Sequence, residues 1–191
     1  MAHFKTTQMT RLLSILILAS TFILCCRHAK SDKEELAADS KSFKIDTSII
    51  AILPFDTTTY QVFHVFKNCV PAELNQKDLL LIDKILIECI DEYNLAQTIR
   101  YNDFKIRFPQ STADIKDFTI DLKSYKRQYI AVSNISGEKE VWVNCFCNSS
   151  NLGSAWRNGL VFVLDGGNCY FNLKINLTKT LYYELMVNGN A

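Results

Sequence analysis

Residues 75–94, NQKDLLLIDKILIECIDEYN, decide how this chain is read. Leu79, Ile82, Leu86, Cys89 or Ile90, and Tyr93 recur at spacings of three and four, with Asp83, Lys84, Glu88, Asp91 and Glu92 elsewhere around the wheel. That is the period of an amphipathic helix with one apolar stripe. Asn75 stands ahead of Gln76, Lys77 and Asp78 as a loose relative of the capping box, which marks where the helix begins. A helix with one greasy stripe must bury it against another element.

Downstream the period changes from three-and-four to two. YKRQYIAVSN (125–134) runs through Ser136-Gly137 into EVWVNCFC (140–147), where Val141, Val143, Cys145 and Cys147 point one way and Trp142, Asn144 and Phe146 the other. The first set is expected to face the core. LVFVLDGGNCYFNLKINL (160–177) reads as a hairpin about Asp165-Gly166-Gly167-Asn168, with Cys169, Phe171, Leu173 and Ile175 opposed to Tyr170, Asn172, Lys174 and Asn176. LYYELMV (181–187) reads as a last strand. Upstream, SIIAILPF (48–55) and YQVFHVF (60–66) suit strands, and residues 95–122 carry no clear period. The order predicts an α+β domain, one main helix packed across a curled antiparallel sheet. Cystatin-like folds share this layout, an analogy of architecture that imports no activity. A cystatin-like protease inhibitor would need an exposed edge loop such as Q-x-V-x-G, and the sequence has none.

The chain opens with a different chemistry. MAHFKTTQMTR carries Lys5 and Arg11 without an acid, and LLSILILASTFILCC (12–26) is apolar apart from small hydroxyl residues, the order of a secretory signal. A spanning helix needs roughly 20 apolar residues to cross about 30 Å of hydrocarbon, and this run ends sooner, at Arg27, His28 and Lys30. Its end resembles the lipobox of bacterial lipoproteins: Cys26 stands as the lipidated residue, Ile23 holds the aliphatic place three before it, and Cys25 stands where Ala, Gly or Ser is usual. The resemblance implies a membrane partner through a lipid anchor on Cys26, stable because several acyl chains add about 0.8 kcal/mol per buried CH₂. The alternative is that both thiols belong to a signal that is cleaved away. Arg27 to Ser42 lacks aromatic and β-branched residues and reads as a disordered tether. The expected organisation is therefore 1–26 leader, 27–42 tether and 43–191 a single α+β domain.

Composition excludes some functions. With Lys+Arg 21 against Asp+Glu 20 and a formal net charge of +1, the chain lacks the positive excess that displaces counterions from nucleic acid. No internal repeat with a period of about 20 to 50 residues is present. No G-x-S-x-G, H-E-x-x-H, P-loop or G-x-G-x-x-G occurs. Gly166-Gly167 reads as a turn that needs positive φ, because no helix amino terminus follows it.

The five cysteines beyond the leader raise four readings. Cys89, Cys145, Cys147 and Cys169 are expected as small buried apolar residues where helix meets sheet, with a disulfide from Cys169 to Cys145 or Cys147 as the alternative. A zinc site on Cys145-x-Cys147 with Cys169 lacks the usual C-x₂₋₄-C spacing, so no metal and no cofactor is expected. Cys69 follows His64 by five residues without a family signature, which does not make a nucleophile and base pair. On the face away from the helix, Trp142, Phe146 and Tyr170, with Tyr182 or Tyr183, fall among Asn144, Asn172 and Asn176, the chemistry of a protein or glycan contact surface. The competing reading is a second core layer, in which residues 95–122 cover that face. Asn134, Asn148 and Asn176 begin glycosylation sequons, which matter only in a eukaryotic source.

IDLKSYKRQYIAVSNISGEKEVWVNCFC, GLVFVLDGGNCYFNLKINL and YYELMVNGNA resemble a family of uncharacterised small envelope or secreted proteins of the Bacteroidota. The resemblance implies bacterial export and a single domain, and it carries no catalytic residue. The sequence thus points to an exported, lipid-anchored envelope protein acting as a non-catalytic binding or assembly module. An enzyme with a pocket between helix and sheet is the rival, and a buried cluster of polar residues without structural partners would favour it.

Overall fold

The structure is a computed structural model that describes residues 46–56, 65–147 and 153–189. The expected leader, its Cys26 and the tether lie outside the described residues.

The helix, α1, runs from Gln76 to Arg107, 32 residues. Its start is the capping box read from sequence. Asn75 Oδ1 accepts from the amides of Lys77 (2.9 Å) and Asp78 (3.1 Å), and Asp78 Oδ2 accepts from the Asn75 amide at 2.9 Å. These bonds satisfy donors that a helix start otherwise leaves unpaired. Ile82, Ile85, Leu86, Cys89 and Ile90 are buried along the expected stripe. The helix continues past Asn94, where Leu95, Ile99 and Ile106 face solvent and the stripe fades. That overhang packs on the chain returning from it. Phe118 lies 5.3 Å from Tyr101 and 5.6 Å from Phe104, ring centre to ring centre, and Lys105 Nζ donates to the Ser111 carbonyl at 2.7 Å. Pro109 follows the Phe108 cap, and a proline restricts the residue before it to non-helical backbone. Single 3-10 turns at Ile115–Asp117 and Leu122–Ser124, each capped by an aspartate, lead into the sheet.

The sheet has six strands: β1 (Ile50–Ile52), β2 (Val70–Pro71), β3 (Tyr125–Ser133), β4 (Lys139–Cys147), β5 (Tyr170–Asn176) and β6 (Leu181–Val187). Their order is β1-β3-β4-β5-β6, with β2 also paired to β3. The pairing is antiparallel except that β1 runs parallel to β3, Ile50 opposite Arg127. The expected α+β layout of one main helix on a curled sheet holds, and the sheet, expected antiparallel, is mixed at this edge. α1 lies in the connection from β1 to β3, and a helical crossover returns the chain in the same direction.

The expected hairpin about residues 165–168 is also corrected. Gly166 and Gly167 do take positive φ, 94° and 59°, and a Cβ on Gly166 would meet the Tyr170 ring at 2.7 Å. The turn, however, feeds a 3-10 segment, Gly167–Cys169, and residues 160–164 form no strand. β5 already has β4 on one side and β6 on the other, so no edge remains for them. They lie instead across the face of the sheet. Of the expected strand at 60–66, residues 60–64 lie outside the described residues, and Val65 and Phe66 are buried without strand pairing.

The sheet therefore has two apolar layers. On the helix face, Ile82, Leu86 and Ile90 pack with Tyr129, Val143 and Leu173. On the opposite face, Ala51, Leu53, Val65 and Phe66 join Ile130, Val132, Trp142, Phe146 and Trp156. Among the described residues, no helix is long and apolar enough to cross a membrane.

Candidate functional site

The second face is built from alternate residues of β4 and β5, because successive strand side chains take opposite sides. Glu140, Trp142, Asn144 and Phe146 come from β4, and Tyr170, Asn172, Lys174 and Asn176 from β5. Tyr183 stands opposite Lys174 and Met186 opposite Asn172, with the register shifting between those two pairs. Glu184, at φ 52°, lies between Tyr183 and Met186. Of the two tyrosines named from sequence, Tyr183 belongs to this face. Tyr182 packs against the helix-side core, and its hydroxyl donates to Glu92 on α1.

The segment 153–164 covers part of this face, in place of residues 95–122. Its anchor is Gln128, fully buried on β3. Gln128 Nε2 donates to the carbonyls of Trp156 (2.6 Å) and Gly159 (2.8 Å), while its Oε1 accepts from Asn144 Nδ2 and the Val161 amide, both at 3.0 Å. Asn144 Nδ2 also donates to the Val161 carbonyl at 2.7 Å. Trp156 meets Phe146 edge-on at 5.7 Å, and the Arg157 guanidinium lies 4.5 Å from the indole centre.

Trp142 and Phe146 are consequently buried, at 5% and 0% exposure, and Tyr170 is half-buried. Of the expected contact surface of Trp142, Phe146 and Tyr170, the covering segment turns Phe146 into core, while Trp142 and Tyr170 line what stays open. What stays open is a cleft of about 170 Å³ beside the segment, floored by Trp142, Asn144, Tyr170 and Asn172. Trp142 Nε1 donates to Asn172 Oδ1 at 3.2 Å across the floor. Three large apolar side chains stand around it in solvent, Phe162 at 50%, Leu164 at 83% and Met186 at 63% exposure. Exposed apolar groups clustered around a concave floor differ from the scattered surface leucines of any protein, which need no explanation.

Beyond the cleft the same face carries charge. Lys174 Nζ pairs with Glu184 Oε2 at 2.7 Å and lies 5.5 Å from the Phe66 ring centre and 5.8 Å from that of Tyr183. Burial raises the Tyr183 hydroxyl above its ordinary value, and the neighbouring Glu140 carboxylate, which it hydrogen-bonds, adds to the rise. A lysine held by a carboxylate and two rings is a fixed positive charge beside an aromatic floor.

The cysteines divide between the two readings made from sequence. Cys147 and Cys169 form a disulfide, the residues following Phe146 and preceding Tyr170 in the β4–β5 register. Cys89 and Cys145 are buried free thiols in the helix-side core, and burial pushes both up to about 12. A thiol so shifted is neutral and inert near pH 7. Cys69 is partly exposed, its Sγ donating to the Lys67 carbonyl at 3.2 Å, and His64 lies outside the described residues. Among the described residues, no group of three or more His, Cys, Asp or Glu side chains is placed to hold a metal ion.

Sequence reasoning found the aromatic and amide residues of this face but missed Phe162, Leu164 and Met186. Phe162 and Leu164 alternate as a strand would, and only the occupied edges of β5 show why they stand out instead, whereas Met186 lies in the expected strand β6. No family model, no curated protein and no solved structure matches the chain.

Proposed function

We propose that the chain is an exported, lipid-anchored protein of the bacterial cell envelope that works as a non-catalytic binding module, with the second-face cleft as its contact site. The observation that carries this reading is the cleft itself: a floor of Trp142, Tyr170 and Asn172 under the exposed side chains of Phe162, Leu164 and Met186. Tryptophan, tyrosine and methionine are enriched at recognition surfaces, where large apolar area comes with a polar handle. Export is supported by the leader and its Ile23-Leu24-Cys25-Cys26 end. It is supported independently by the Cys147–Cys169 disulfide, since such bonds persist in oxidising compartments.

Intact mass and fractionation of the native protein test the reading. The expected result is an acylated chain beginning at Cys26 in the membrane fraction, released by Cys26→Ser. A chain that still begins at Met1 and stays in the cytosol overturns it. For the cleft, a photo-crosslinking residue at 164 is expected to give a discrete adduct in the native envelope that Trp142→Ala removes. The same probe at Ile106, on the exposed helix overhang, is expected to give none.

A further inference from the structure

A second concavity lies where the end of the sheet meets α1 and the returning chain. It holds about 450 Å³ and is lined by Tyr93 and Gln97 from α1, Asp117 and Phe118 from the returning chain, and Asn168 and Asn188 from the sheet end. That volume falls among small-molecule sites, which span about 300–1,000 Å³.

Its walls are fixed by side chains that use up their donors on the protein. Asn168 Nδ2 donates to the carbonyls of Lys116 (3.0 Å) and Thr119 (2.7 Å), and Asn188 Nδ2 to those of Val163 (2.7 Å) and Asp165 (2.9 Å). Behind them, the Asn94 amide clamps Ile120 through two bonds of 2.8 Å, and the Tyr125 hydroxyl donates to the Asn168 carbonyl at 2.7 Å. Asn168 and Asn188 each keep an acceptor oxygen with no protein partner among the described residues. Asp117 contributes a carboxylate, of which one oxygen takes the Asp114 amide at 2.8 Å.

Gln97 is the unusual member. It is 8% exposed, lines the concavity, and makes no side-chain hydrogen bond among the described residues. Its amide atoms are not sealed off with the rest of the side chain but open into the concavity, where a partner from outside the chain can reach them. The lining as a whole offers acceptors from Asn168, Asn188 and Asp117, and two aromatic side chains, Tyr93 and Phe118, that provide apolar surface. This complements a compact ligand carrying several hydroxyl donors on an apolar ring.

We propose that this concavity is a binding site for a neutral sugar ring, with Gln97, Asn168 and Asn188 bonding its hydroxyls and Tyr93 and Phe118 lining its apolar surface. The site shares Asn188 with the wall of the second-face cleft but none of that cleft's floor residues, and it does not depend on the lipid anchor.

The test uses the full chain in detergent with its disulfide intact. Neutral hexoses, N-acetylhexosamines and their disaccharides are titrated by ligand-observed NMR and calorimetry, with putrescine as a cationic probe. Saturable binding of at least one sugar is expected, and Gln97→Leu is expected to weaken it at least tenfold. Because Gln97 makes no side-chain hydrogen bond among the described residues and the change keeps volume nearly constant, the melting temperature should equal or exceed that of the parent. Leu164→Ala, at the exposed rim of the other cleft, should leave sugar binding unchanged, which separates failure of this site from failure of the contact surface. The proposal is overturned if no sugar in the panel binds, if putrescine binds in preference, or if Gln97→Leu melts lower. A lower melting temperature would mean that Gln97 serves the fold rather than a ligand.

Discussion

Two buried glutamines show how context assigns opposite roles to one side chain. Gln128 uses both donor and both acceptor positions on the segment 153–164 and its neighbour Asn144. Gln97 uses none among the described residues. Gln128→Leu would strand the Val161 amide and the carbonyls of Trp156 and Gly159 against an apolar side chain. With an unpaired buried polar group costing about 1–3 kcal/mol, the loss is expected to be at least about 3 kcal/mol, measured by chemical denaturation. A loss below about 1 kcal/mol would show that the segment is not held by this residue. Neither role was legible beforehand. Gln128 sits in YKRQYIAVS at a position that alternation places on the second face, but nothing in the pattern says that the face is covered there. The two readings of the thiols were equally undecidable, because Cys145 and Cys147 share one face two residues apart and only the β4–β5 register sets Cys147 beside Cys169.

At the scale of elements, the disulfide closes a loop of sequence separation 22 that contains the whole covering segment. Cross-linking a loop of this size removes denatured-state entropy worth about 3 kcal/mol. Cys147→Ser with Cys169→Ser is accordingly expected to lower stability by about 3 kcal/mol, with hydrogen exchange rising first in residues 153–164 while the amides of α1 near Leu86 stay protected. Uniform loss of protection across both would refute the separate behaviour of the segment. The start of α1 makes a smaller test. Asn75→Ala removes the acceptor for two amides and should cost about 1 kcal/mol, read from the shift in denaturation midpoint. That start was legible because capping is local chemistry. The second half of the helix was not, since its stripe dissolves where Leu95, Ile99 and Ile106 leave the sheet behind and the contacts that sustain it, Tyr101 and Phe104 on Phe118, come from the returning chain. Residues 160–164 misled for the converse reason. Their apolar alternation is that of a strand, and whether a strand forms depends on a free sheet edge, which β6 had taken.

For the molecule as a whole, the helix-side core collects acids that burial keeps protonated. Cys89 and Cys145 are pushed up from 9.0 to about 12, and Tyr125 from 10.0 to about 12, in each case chiefly by desolvation. Tyr129 shifts the same way, also by burial. All four sit in one cluster between α1 and the sheet, so they lose their protons only when that core opens. A folded-state value above the unfolded one means that the unfolded chain releases its protons first as pH rises. The contribution to stability is whole below the unfolded value and is lost on the way up to the folded value. Denaturation midpoints should therefore change little up to about pH 9 on account of these groups and then fall steeply toward pH 12, first with the thiols and then with the tyrosines. Cys89→Ala with Cys145→Ala should remove the earlier part of the decline, starting it nearer pH 10, at the cost of a lower plateau from lost packing. A decline that begins at the same pH in parent and double variant would place its origin outside this core. Alkylation gives the same mechanism a second reading, because at pH 8 both thiols should react only at the rate of global opening, well behind the partly exposed Cys69.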